Sequence, residues 1–195
     1  LTRAGLLSSL CIFLFTGLCA AHEVYPAILN LESKDGRLHL RFDVNLEAMM
    51  AGIDLAETDN TDEAEGANDY NSLRALSDAE LGLRFAAYLP ELTQNITLTF
   101  DGAAAPVQFV ARETLDPGAP ELPRQTTLAF ITDQPSSART MQIGWARAYG
   151  TLIVRQNATT QTPYTATLQG GTLSAAFQLE GGSAVTGWQA FGSYI

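Results

Sequence analysis

The sequence predicts a mainly β protein: an Ig-like antiparallel β-sandwich with a helical insertion over about residues 46–94. Three observations lead there. Arg37 to Leu46 (RLHLRFDVNL) alternates without a break, as a half-buried antiparallel strand does. Leu38, Leu40, Phe42, Val44 and Leu46 fall on one face, and Arg37, His39, Arg41, Asp43 and Asn45 on the other. Short segments of the same period recur from Ile96 to Leu179, separated by Gly, Pro and Ser-Ser, a spacing that suggests a sandwich. Between these two regions the period becomes helical.

Residues 1–21 read as a signal peptide. Arg3 supplies a positive start, Gly5 to Gly17 a short apolar core, and Cys19-Ala20-Ala21 the small residues before a cleavage site. A retained anchor is the alternative, but the apolar run is shorter than the roughly 20 residues of a helical span. Leu18 is too large for a lipobox at Cys19. Cleavage makes His22 the first residue and places the protein on the periplasmic, extracytoplasmic side. Both cysteines, Cys11 and Cys19, leave with the leader, so the mature chain has no thiol for a disulfide or for chemistry.

Val24 to Glu32 reads as a strand that Pro26 either puts near an edge or lets pair only after residue 26, joined to the alternating strand by a Lys34-Asp35-Gly36 turn. Leu46 to Ile53 reads as a short helix and Tyr70 to Leu76 as another. Ser77-Asp78-Ala79-Glu80 is a capping box, and Leu81, Phe85, Tyr88 and Leu89 form the stripe of the helix it opens. Pro90 is expected to end or kink that helix. Strands are then expected at Ile96–Phe100, Val107–Ala111, 126–132, 140–145, 151–156, 164–169 and 173–179, with an Asp101-Gly102 turn after the first. Gly181-Gly182-Ser183 is a joint. Gly187 to Ile195 (GWQAFGSYI) spaces Trp188, Phe191 and Ile195 helically, as at the start of a membrane-proximal helix. The domain plan is thus 1–21 signal peptide, 22–180 sandwich with insertion, and 181–195 linker and helix start. With no initial Met and an ending inside a pattern, the chain reads as truncated.

The net charge of −10 becomes −11 once Arg3 is removed, which repels phosphate backbones and argues against nucleic-acid binding. Asp54, Glu57, Asp59, Asp62, Glu63, Glu65 and Asp69 fall in a stretch without Lys or Arg. It reads as a solvated loop or, more sharply, as a weak collector of divalent cations. DNTDEAEG lacks the ligand and glycine offsets of an EF-hand.

Several of these stretches together resemble the extracytoplasmic part of HupE/UreJ proteins, hydrogenase and urease accessory membrane proteins associated with nickel uptake. They are HEVYPAI (22–28), NLEAMMAGIDL (45–55), YNSLRAL (70–76), IGWARAYGTLIVRQ (143–156) and GWQAFGSYI (187–195). The resemblance implies a signal peptide, a β-rich domain and then a bundle of membrane helices bearing a His- and Asp-containing motif. That motif has no matching position here, so no transport residue carries over. Residues 22–195 hold no hydrophobic run long enough to span a bilayer as a helix.

His22 is the leading metal-ligand candidate. Its freed α-amine and its imidazole can chelate one ion, a donor set suited to Ni(II) or Cu(II), with Glu23 the nearest carboxylate. The alternative reading is that His22 is only the residue that cleavage leaves. His39, the other histidine, is expected to pair near Leu31, roughly 30 Å from His22 at about 3.3 Å per residue, and so to be a solvated strand residue. Trp145, Tyr149 and Arg155 read as core packing and an ion pair, or as a contact with a membrane part. Asn95-Ile96-Thr97 and Asn157-Ala158-Thr159 are sequons that matter only in a eukaryotic secretory setting. Gly-x-Ser-x-Gly, His-Glu-x-x-His and a phosphate-binding glycine loop are all missing, so the expectation is a non-catalytic domain. The leading expectation is the accessory domain of a HupE/UreJ-like nickel or divalent-metal transport protein, presenting metal or stabilising and gating the membrane part. The alternative is a free periplasmic Ig-like binding module that recognises a protein or captures copper through His22.

Overall fold

A computed structural model describes residues 24–115, 123–157 and 163–179. The signal peptide, His22, Glu23, the Ala158-Thr159 half of the second sequon and the 181–195 segment lie outside the described residues. Two sheets enclose one core. The larger has six strands in the order β5 (Gln108–Leu115), β6 (Gln125–Asp133), β2 (Arg37–Val44), β1 (Ala27–Lys34), β8 (Leu152–Gln156) and β9 (Thr165–Leu168). The smaller has four: β10 (Phe177–Gln178), β7 (Thr140–Trp145), β3 (Ile96–Phe100) and β4 (Ala103–Ala104). Three helices, α1 (Leu46–Met50), α2 (Ala67–Arg74) and α3 (Asp78–Gln94), occupy the predicted insertion. The mainly β sandwich with a helical insertion is therefore the architecture.

Alternation becomes burial directly. Along β2, Leu38, Leu40, Phe42 and Val44 are buried while Arg37, His39 and Arg41 are exposed. β6 repeats the pattern with Thr126, Leu128, Phe130 and Thr132 inward. Phe42 lies between the layers, edge-on to Phe130 at 5.9 Å and stacked on Trp145 of β7 at 6.1 Å. Burying side chains of this size contributes about 1.5–3 kcal/mol each, which is what holds the sheets together without a disulfide.

One pairing departs from the antiparallel expectation. β1 pairs with β8 in parallel, Ala27 beside Leu152 and Leu31 beside Gln156, while the other strand pairs are antiparallel. β1 is therefore an interior strand from Ala27 onward, and Pro26, which has no N–H to give a ladder, lies just before it. The β1–β2 turn is also tighter than predicted. Asp35 (φ 53°) and Gly36 (φ 72°) alone form it, the two-residue turn with both central residues left-handed that matches strand twist. The register shifts by one residue, so His39 faces Glu32 rather than Leu31.

The helical region keeps the expected order of three helices, but α1 stops at Met50 instead of Ile53, α2 runs from Ala67 to Arg74 instead of Tyr70 to Leu76, and Pro90 does not end α3. The Ser77 hydroxyl accepts from the Glu80 N–H, and the Glu80 carboxylate accepts from the Ser77 N–H. Helix α3 then runs through Pro90 to Gln94, where Asn95 caps it. Leu92, buried beyond the proline, anchors the last turn in the core, so packing outweighs the lost hydrogen bond. The expected 173–179 strand shrinks to Phe177–Gln178, with a single bridge from Leu173 to Gly144.

Candidate functional site

At the end of the sandwich where β1, β6 and β8 begin and β2 and β7 finish, the layers part around a cleft of about 350 Å³. Its walls are Val24, Tyr25, Pro26, Met49, Leu55, Pro123, Trp145 and Tyr149, with Asp43, Asn45, Arg124 and Gln125 among its polar residues. A second cleft of about 260 Å³ lies on the other side of Val24–Pro26, against Thr58, Asp59 and Gly150. Both clefts share Val24, Tyr25, Pro26, Leu55 and Tyr149. This segment is held by few backbone bonds. The Val24 N–H donates to the Asp59 carbonyl at 3.4 Å, the Ala27 N–H donates to the Thr151 carbonyl at 3.0 Å, and the Tyr25 side chain is 68% exposed.

The far wall is rigid by comparison. Trp145 Nε1 donates to the Gly150 carbonyl at 2.9 Å, closing the short 3-10 turn Arg147–Tyr149 onto β7. Trp145 packs edge-on against Tyr149 at 5.6 Å. The Tyr149 hydroxyl accepts two hydrogen bonds, one from the Tyr88 hydroxyl at 2.8 Å and one from Asn95 Nδ2 at 3.1 Å. Burial, and then its hydrogen bond to Tyr149, push the Tyr88 phenol well above its ordinary range. Gly150 is required here: it has φ 71°, and a Cβ on it would stand 2.7 Å from the Leu55 carbonyl oxygen.

The helical side is fixed by a buried ion pair. Glu47 is fully buried, and Arg124 Nε donates to its Oε1 at 2.6 Å. Arg124 Nη1 and Nη2 donate to the carbonyls of Leu76 and Leu73, both at 2.8 Å, where α2 gives way to the turn before α3. One arginine thus ties α1, α2 and the start of β6, and its charge is matched within the fold. Asn45, the cap of α1, accepts from the Ala48 N–H and donates to the hydroxyl of buried Tyr70, whose pKa burial raises.

The acidic stretch is partly consumed by structure. Arg147 makes ion pairs with Asp54 and Glu57, the first at 3.1 Å. Asp54 and Asn60 accept from the N–H groups of Ala56 and Asp62 in tight local turns. No group of three or more His, Cys, Asp or Glu side chains able to hold a metal occurs among the described residues. His39 is exposed on β2, near the Asp35–Gly36 turn and at the opposite end of the sheet from the cleft.

Of the residues singled out in the sequence, Trp145 and Tyr149 meet in the cleft wall. Arg155 does not join them: it is exposed on β8 beside Asn30 and Thr165, and has no ion pair among the described residues. The ion-pairing arginine of that stretch is Arg147. Asn95, the first sequon's acceptor, is committed to Tyr149. Arg124, Glu47, Tyr88 and Asn95 carry no spacing signal for this site. The one hint is a lone acid, Glu47, inside the apolar run Leu46–Met50. No helix among the described residues is long and apolar enough to cross a membrane. The chain matches no protein-family model and no curated protein.

Proposed function

We propose that this chain is the extracytoplasmic, non-catalytic accessory domain of a HupE/UreJ-like membrane protein that moves nickel or a similar divalent metal. What supports the reading is convergence. Residues 22–28, 45–55 and 143–156, three of the five stretches that carry the resemblance, supply Tyr25, Pro26, Asn45, Met49, Leu55, Trp145 and Tyr149 to a single cleft. The stretch 70–76 joins them through the Asn45–Tyr70 hydrogen bond. In this reading the domain presents metal captured at His22, with Glu23 next to it in the sequence, or steadies the membrane part.

Two measurements test it. Nickel-63 accumulation by cells carrying the complete gene should exceed that of cells lacking it, and should fall several-fold for His22→Ala. Calorimetric titration of the processed protein with Ni(II) and Cu(II) should show binding at micromolar or lower Kd, about −8 kcal/mol, lost in His22→Ala. Accumulation indifferent to the gene would overturn the transport reading. Accumulation without binding at His22 would leave the domain a scaffold or gate.

A further inference from the structure

We infer that helix α3 is an interface through which two copies of this chain pair, antiparallel and face to face. Neither the metal nor a membrane partner is needed for it. One side of α3 is accounted for by the fold: Leu81, Phe85 and Leu92 are buried, and Tyr88 and Leu89 pack against the core. At about 100° per residue the opposite side carries Leu83, Ala87 and Pro90, with Gln94 at its end and Ala79 and Ala86 along one flank. These six side chains are all exposed, and Leu83, at 77%, is the most exposed large apolar side chain among the described residues. A surface helix turns polar residues to water, whereas a helix apolar on both sides is one that is covered on both sides.

The charges beside this face choose the occupant. Glu80, Arg84 and Glu91 lie together on its other flank. Glu80 is held by the Ser77 amide and hydroxyl in the capping box. Arg84 and Glu91 are exposed and make no ion pair among the described residues. They stand two turns apart, about 10 Å along the axis. One cation and one acid at this spacing make the face complementary to itself rather than to a surface of either charge. When two identical helices pack antiparallel, like flanks meet, so Arg84 of each copy falls opposite Glu91 of the other. A twofold axis beside Ala87 sets both pairs at once. The same register lays Leu83 between Pro90 and Gln94 of the other copy. It also brings the two Ala87 methyls together, where small side chains let the helix axes approach to about 8 Å. Contact along one 17-residue helix is smaller than a standard interface, so the pairing is reversible, with a Kd on the order of 10–100 μM.

Sedimentation equilibrium of the processed protein in metal-free buffer should show a mass that rises from one chain towards two across that concentration range. Leu83→Lys, a change at a side chain mostly in water, should weaken the dimer at least about tenfold and leave circular dichroism unchanged. Arg84→Glu and Glu91→Arg should each weaken it about fivefold, because each sets like charges opposite one another. An equimolar mixture of those two variants should associate again, since every charge contact between them is of opposite sign. Mixing repairs no folding defect, so recovery reports the contact itself. A natively folded protein that stays monomeric well above that range overturns the inference and leaves the face to a helix of another protein. A dimer indifferent to Leu83→Lys overturns it too, as does a mixture no more associated than its two components alone.

Discussion

Glu47 is a carboxylate with no exposed surface and one strong partner, and its second oxygen, Oε2, has no hydrogen-bond partner among the described residues. Such a group is tolerable only while Arg124 is present, because breaking a buried pair leaves an uncompensated charge. Arg124→Met should therefore lower stability by about 3–5 kcal/mol, read as a shift of the urea midpoint. Glu47→Leu combined with Arg124→Met should recover most of that loss, since neither charge then remains. The buried phenols give a second expectation. Tyr70, Tyr88 and Tyr164 all have raised pKa values, with burial the leading cause in each. The native state thus holds these protons more tightly than the unfolded chain. Their contribution is complete below the unfolded value of about 10 and is lost as pH rises towards the folded values. Thermal midpoints should fall steeply above about pH 10, and Tyr88→Phe should make that fall shallower.

Helix α3 shows how local and tertiary terms divide the work. Its start is specified by the Ser77–Glu80 box, and Ser77→Ala should cost about 1 kcal/mol in the denaturation midpoint. Its end is specified by packing, since Leu92 carries the helix past a proline that sequence logic reads as a stop. The same division explains what was legible among the strands. β7 occupies the predicted limits, and the inward faces of β2 and β6 follow from period two. Period two states which side chains face the core, but not which sheet a strand joins. The crossing from β4 in the small sheet to β5 in the large one is accordingly invisible in the sequence. So is the bulge that shifts the β5–β6 register between Phe109 and Ala111.

At the scale of the molecule, the cleft was half legible. Trp145 and Tyr149 stand out because aromatic residues cluster in a distinctive stretch, and they do form its wall. The groups that orient them come from elsewhere: Tyr88 lies 61 residues from Tyr149, Asn95 lies 54, and Arg124 lies 77 from Glu47. No periodicity joins residues so far apart, and only the closed fold brings them together. The parallel seating of β1 beside β8 carries a temporal consequence. The β1–β2 hairpin is a local contact and can form as soon as residue 44 is available. Its other edge must wait for a partner about 125 residues later in the chain. Until β8 arrives, the unpaired backbone N–H and C=O groups of β1, flanked by Leu29 and Leu31, are open to any passing strand. The closing of that one seam therefore sets both the pace of folding and the interval in which a newly made chain is most exposed to aggregation.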